Sequence, residues 1–532
     1  MNELPPVAWE APDPALFWVH DRMHFPDPVT PLSADMPTFE GFNDAAAAAG
    51  RPVRMRRGRL HGYLYTAMEP APEGAPAPAV PQGRLRDVWD REWLPEIRRH
   101  YAWWDAFDPD SASPRALQEH LEESLRRYRR LWDIHFRVAV PAHDAVGAFD
   151  DLYREVFPEA GPFDAYALLR GIPNSNLEAD VALWRLGRAA AGLPHVRAVL
   201  EGPPGEGGGA LAAIAAAEGG GAFAARTAAY IAEFGQRSER DDLAAPTWVD
   251  DPSPVLRALR DHLAQPERDL EAEQAGLAAD RERRLAEVRG RLRGYPGPVA
   301  ARFEAALRDA EDGAYLSEEH NFWIDQRGAH RMRRVLRGAG RRLAAAGALE
   351  RADDVFLLRL DELREALAEP GAADRRDLAR ERAREMARAR TLVPPPTLGT
   401  PPPARPGGAG DRFFGGPPPG SDEPGVLRGA AGSPGVARGP ARVVRTSRDA
   451  AALQPGEVLV AETLLSTWTP LFARAVALVT DTGGVLSHAA CVAREHRLPA
   501  VVGTGRATAA VRDGQVVEVD GAAGTVRVID PS

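Results

Sequence analysis

The 532-residue sequence predicts a multidomain chain: a mostly helical region over 1–390, a proline- and glycine-rich linker over 391–425, and a small α/β domain over 426–532. Three observations predict it. The length exceeds what one hydrophobic core ordinarily organises. From residue 85 to 390 apolar residues recur at three- and four-residue spacing, and after 425 short valine-rich runs alternate with Gly, Pro and Asp turns.

The first 80 residues hold many prolines and short apolar runs such as GRLHGYLYTAM (58–68), which predict strands or irregular structure. Helices are predicted over 85–107, 114–138, 177–192, 210–234, 266–294, 298–326, 328–348 and 359–390, where Arg, Glu and Asp crowd the positions between apolar residues. The 266–294 segment reads as a long helix with a solvated charged face, and the Ala- and Gly-rich runs 45–49 and 205–221 as helix filler and loop. Between 391 and 425 repeated prolines remove backbone donors and fix φ, so neither a helix nor a central strand is expected. An extended proline-rich chain advances roughly 3 Å per residue, so this segment reaches on the order of 100 Å at most. Beyond it, strands are predicted at 441–446, 457–462, 477–481, 499–503, 515–520 and 525–530, with helices near 469–475 and 488–496.

Composition narrows the chemistry. A formal charge of -10 argues against a nucleic-acid surface, which needs a concentrated basic patch. The sequence has no lysine, so all 66 basic residues are arginine; P-loop, Schiff-base and kinase-type lysine chemistry is excluded. One cysteine, Cys491, rules out an internal disulfide framework and a cysteine-rich metal site. No apolar run of about 18 residues is present, and the N-terminus lacks the segments of a signal peptide, so no membrane association and a cytoplasmic location are expected.

Chemistry concentrates in Thr480-Asp481-Thr482-Gly483-Gly484-Val485-Leu486-Ser487-His488-Ala489. A helix starting near His488 places an imidazole at unpaired N–H groups and the positive end of a helix dipole, where an anion is stabilised. Gly483 and Gly484 permit close backbone approach to a phosphate, Thr480 and Ser487 are expected to stabilise it, and Ser487 to cap the helix. Neutral imidazole is a nucleophile near pH 7, and phosphohistidine passes its phosphoryl group onward. By its residues alone His488 also fits an ordinary helix-capping histidine.

Residues 426–532 resemble the swivelling phosphohistidine domain of phosphoenolpyruvate synthase, pyruvate phosphate dikinase and rifampin phosphotransferase, through SPGVARGPARVV (433–444), TDTGGVLSHAACVAREHRLPAVVGTG (480–505) and DGQVVEVDGAAGTV (513–526). The resemblance implies that His488 is the phosphorylated residue. The preceding region resembles more loosely the substrate-binding region of rifampin phosphotransferase, through HFPDPVTPL (24–32), GIPNSNLEADVALWRLG (171–187), FGQRSERDDLAAPTWVDDP (234–252), LSEEHNFWIDQ (316–326) and GALERADDVFLL (347–358). Neither the ATP-grasp domain nor the phosphoenolpyruvate barrel of the full-length enzymes is recognised. The implied activity is a dikinase-type phosphotransferase, ATP-dependent through a separate ATP-grasp subunit that holds Mg²⁺ and ATP, with a small-molecule acceptor in the helical region. Two alternatives are a dehydratase or condensing enzyme acting through a transiently phosphorylated substrate, and a phosphocarrier or regulatory protein with no reaction of its own.

The remaining candidates are weaker. His320, beside Glu318 and Glu319, reads as a general base toward an acceptor hydroxyl or as a buried structural histidine, and Glu319 as a substrate contact. Arg237 reads as an anion clamp or an ordinary ion pair. His20 and His24 have helical metal-ligand spacing, but Pro26 and the missing glutamate leave no metal site expected. Asp353 and Asp354 read as caps of a strand or turn sooner than as magnesium ligands, and Trp103, Trp104 and Phe107 as core sooner than as a pocket wall.

Overall fold

The computed structural model describes residues 7–71, 83–202, 207–401, 409–416, 420, 423–445, 449, 452–464, 468, 472 and 474–529. The chain divides into two compact units, one of residues 1–138, 240–245 and 323–405, the other of 139–239, 246–322 and 406–532. These units cut the chain at other places than its changes of composition do.

In the first unit, β1 (Trp18–His20), β2 (Val53–Leu60), β3 (Tyr63–Pro70) and β4 (Thr397–Leu398) form an antiparallel sheet in the order β2-β3-β1-β4. The GRLHGYLY run is a hairpin. Its two-residue turn, His61-Gly62, has φ of 48° and 93°, the positive values that match strand twist. Trp18, Tyr63, Tyr65 and Leu398 bury one face. β4 lies at the sheet edge, the place a strand flanked by prolines tolerates. His20 and His24 do not share a helix. His20 ends β1 between the rings of Tyr63 and Tyr65, and His24 Nδ1 lies 2.9 Å from Asp21 Oδ1. Asp354 caps the turn over Ala352–Leu357, Asp353 pairs with Arg337, and His120 is stacked between Trp103 and Phe107.

The helix predicted at 114–138 continues as α1 (Pro114–Val156), through Pro141. Its later turns bury Val146, Phe149, Leu152, Tyr153 and Val156, and this apolar stripe outweighs the one donor that proline removes. In the second unit this core also takes in α3 (Leu270–Leu292) and α4 (Gly297–His320), while α2 (Ser175–Ala191) packs in a neighbouring core; Asn174 caps α2 by accepting from Leu177 N.

The same unit holds an eight-stranded mixed sheet of β5 (Val426–Arg428), β6 (Ala430–Ser433), β7 (Val436–Val444), β8 (Val458–Ala461), β9 (Ala477–Thr480), β10 (Ala500–Val502), β11 (Val516–Asp520) and β12 (Thr525–Val528), ordered β5-β12-β11-β7-β8-β9-β10-β6. All six predicted strands form. The central four, β7 to β10, are parallel, and their continuous Val/Ala/Leu runs are buried on both faces. α6 (His488–Glu495) covers one face with Ala489, Ala490, Val492 and Ala493. The helix predicted near 469–475 falls largely outside the described residues.

The linker corrects one expectation. Residues Ala409–Phe414 form a short helix, α5, in the proline-free GGAGDRFFGG stretch between two proline runs. The prolines flank it and do not interrupt it.

Candidate active site

β9 ends at Thr480, the loop 481–487 follows, and α6 begins at His488. Ser487 is the cap, its Oγ accepting from Ala490 N at 3.5 Å. Arg494, one and a half turns on, braces the loop by donating to Val485 O (2.9 Å) and Gly432 O (2.7 Å). Thr480 is fully buried and donates through Oγ1 to Thr482 O, so it shapes the loop from within.

The glycines make a close approach, but to protein. Gly483 N donates to Phe414 O (3.2 Å), Gly484 N to Phe413 O (2.8 Å) and Leu486 N to Arg412 O (2.8 Å). A Cβ on Gly484 would stand 2.2 Å from Arg412 O, so glycine is required there. In this arrangement α5 occupies the N–H groups of both glycines. α5 is itself anchored to α1: Arg412 donates to Gly147 O and to Asp151 Oδ1 (2.6 Å), and Phe413 stacks on His143 at 4.3 Å.

His488 faces the helical part of its own unit. Its Nδ1 lies 3.4 Å from Glu318 Oε1 near the end of α4, and the side chain is 21% exposed. Glu318 is also bound by Asn176 Nδ2 at 2.9 Å. Burial works to raise the Glu318 carboxyl, but His488 and the Asn176 amide outweigh it and hold it at about 2, so it is an anion at neutral pH. In the tautomer that turns its Nδ1 proton toward that anion, the imidazole lone pair lies on Nε2. Nε2 is covered and has no hydrogen-bond partner.

Around this pair runs a narrow cleft of about 20 Å³, room for little more than one water, lined by Asn174, Asn176, Asp180, Gln274, Glu318, Glu495 and His496 besides His488. Burial pushes Asp180 up to about 6 against the pull of Arg237 and His488. Burial, then the neighbouring Glu318 and Asp180, push Glu495 up to about 8. Burial and Arg268 lower His496 to about 4, which keeps it neutral. Asp180 is thus the carboxylate best matched to accept a proton near pH 7.

The other candidates lie beside the cleft and not in its wall. Glu319 accepts from Ser175 N (2.6 Å) and Ser175 Oγ (3.0 Å) and fixes the start of α2. His320 is buried, its Nδ1 2.6 Å from Leu316 O. Arg237 is buried, donates to Phe234 O (2.9 Å) and lies over the Trp248 and Phe322 rings. Glu318, Asn176, Asp180 and Glu495 are the residues that sequence reasoning missed. The GIPNSNLEAD run contains two of them, but nothing in it marks which polar side chains share a wall with His488.

Comparison with known proteins bears on this site. Residues 453–524, which contain His488 and its loop, match the family described as PEP-utilising enzyme, mobile domain. Over these residues the chain is similar to that domain. Residues 135–318, ending on the carboxylate that meets the mobile domain's histidine, match the rifampicin phosphotransferase fourth domain. Chondramide synthase cmdD of Chondromyces crocatus is 40% identical over 98% of the chain, which covers 14% of that protein. The uncharacterized phosphotransferase YvkC of Bacillus subtilis is 25% identical over 97% of the chain and 62% of that protein. A rifampicin phosphotransferase of Streptomyces sp is 29% identical over 86% of the chain and 52% of that protein. The chain spans less than two thirds of each of these relatives. No helix among the described residues is long and apolar enough to cross a membrane.

Proposed function

We propose that this chain is a phosphotransferase component in which the mobile domain carries a phosphoryl group on His488 Nε2 and delivers it to a small organic acceptor at the α2–α4 wall. The observation that carries this reading is the contact of Glu318 with Nδ1, which leaves Nε2 as the nucleophile. In loading, the Nε2 lone pair attacks phosphorus and a phosphate–oxygen bond of the donor breaks. In delivery, an acceptor hydroxyl oxygen attacks the same phosphorus, the N–P bond breaks, the electron pair returns to Nε2, and the hydroxyl proton passes to Asp180. Holding both partners at reaction distance supplies most of the acceleration.

Nε2 has no exposed surface in the docked arrangement, so the mobile domain has to leave the wall to be loaded. The donor in this proposal is Mg-ATP on a separate ATP-grasp protein, in keeping with the absence of lysine here and with the kinship to rifampicin phosphotransferases. Location in the cytoplasm belongs to the same proposal. The test is to incubate the chain, alone and with an ATP-grasp protein, with ATP labelled at the β- or γ-phosphate. Acid-labile label is expected on the wild type only with the partner, and none on His488→Ala; equal labelling of the variant overturns the proposal.

A further inference from the structure

The docked arrangement around His488 has no place for a phosphoryl group. The cleft beside the ring holds about 20 Å³, room for little more than one water, and His488 Nε2 is covered. A phosphoryl group brings three oxygens and between about one and two negative charges at neutral pH. Leu486, two residues before His488, is buried in one core with Phe149, Phe303 and Leu307, so the two surfaces meet without slack.

Charge and hydrogen bonding exclude the group as well. Asp180, Glu318 and Glu495 line the cleft, and no arginine among the described residues does so. Glu318 is an anion, held by Asn176 Nδ2 at 2.9 Å, and stands 3.4 Å from the His488 ring. A second anion on that ring would face it at close range, with little water between them to screen the repulsion. The backbone donors that would compensate a phosphate at a helix start are committed: Gly483 N, Gly484 N and Leu486 N donate to α5 or to its end, and Ala490 N donates to Ser487 Oγ. A neutral imidazole meets none of these obstacles, since it turns its Nδ1 proton toward Glu318 and brings no added bulk.

We propose that the docked arrangement belongs to the discharged protein alone: Glu318 reads the charge on His488, the wall closes on a neutral imidazole, and phosphorylation drives the domain off it. The inference rests on the phosphotransfer reading for its place in a reaction. There, a loaded domain meets the wall with the acceptor still between them and closes on it after the group has passed. The response of the wall to charge at position 488 is independent of that reading.

The full chain supplies its own reporter. Cys491, its single cysteine, lies one turn along α6 from His488 on the same face, within electrostatic reach of Glu318. Alkylation by iodoacetamide at pH 8 therefore reads whether that face is covered. His488→Glu puts a negative charge at the position, and His488→Gln is its uncharged counterpart. Alkylation in His488→Glu is expected to be at least about fivefold faster than in the wild type, and in His488→Gln within about twofold of it. An added carboxylate by itself raises a thiol and slows alkylation, so a gain in rate reports uncovering. Glu318→Gln in the His488→Glu background is expected to restore the slow rate, with circular dichroism melts showing each variant folded. Equal rates in the Glu and Gln variants, or a double variant that stays fast, overturn the inference. None of these outcomes involves phosphorylation, so failure of His488 to take up label sinks the phosphotransfer reading separately.

Discussion

Glu318 meets His488 through Nδ1 at 3.4 Å, so that in the docked arrangement Nε2 is the imidazole nitrogen turned away from the carboxylate. Glu318 is a positioning residue in this account. Its carboxylate, held at about 2, is too weak a base to take a proton at neutral pH, but it fixes the tautomer.

Replacing Glu318 tests that role. Glu318→Gln is expected to slow transfer from phosphorylated His488 to the acceptor by at least about tenfold, to shift the pH profile of that transfer, and to leave the melting temperature within a few degrees. Glu318→Asp restores part of the rate. Parallel loss of rate and fold in both variants contradicts a positioning role; stopped-time labelling beside thermal melts measures it.

Stability should depend on pH through Glu495. Its folded value of about 8 lies above the usual value of 4.5, so the folded chain keeps a proton that the unfolded chain has lost. The associated stability is present below about pH 4.5 and disappears as pH rises toward 8. Relative to Glu495→Gln, the wild type is expected to lose a few degrees of Tm between those limits, since partial exposure of the side chain tempers the effect. A constant difference in Tm across that range contradicts it.

The α5 segment fastens the His488 loop to α1. Arg412→Ala combined with Phe413→Ala removes the anchors on Asp151 and His143 and is expected to speed chemical phosphorylation of His488 by phosphoramidate several-fold. Gly484→Ala forces a Cβ against the Arg412 carbonyl, and about 1–3 kcal/mol of destabilisation is expected in denaturant melts. Unaltered labelling in the first variant shows that α5 does not restrain the loop.

Cys491 offers a control on the packing of α6. Burial is the main cause that raises its thiol to about 11, and Arg494 only partly opposes it. Alkylation by iodoacetamide at pH 8 is expected to be more than tenfold slower in the folded chain than in denaturant. Equal rates contradict the packing described for this helix.

How much of this was legible in the sequence depends on the range of the interaction. Periodicity found the long helices and the valine runs found the six strands, because both patterns are local. Ser487 as cap and His488 as first helical residue were also local, set by one serine before an alanine-rich turn. Pro141 misplaced the end of α1, since the apolar stripe that carries the helix onward lies beyond it. Gly483 and Gly484 announced a close approach but not its partner, which sits some 70 residues earlier in the chain. Glu318 and Glu319 are adjacent, and only the fold turns one to His488 and the other to Ser175.

The central claim is that Nε2 of His488 carries the phosphoryl group. Phosphorylating the intact chain with phosphoramidate and assigning the product by ³¹P NMR and peptide mass mapping tests it most directly. A single acid-labile phosphoryl group is expected on His488, bonded to Nε2 and absent from His488→Asn. Phosphorylation at Nδ1, or labelling that persists undiminished in that variant, would contradict it.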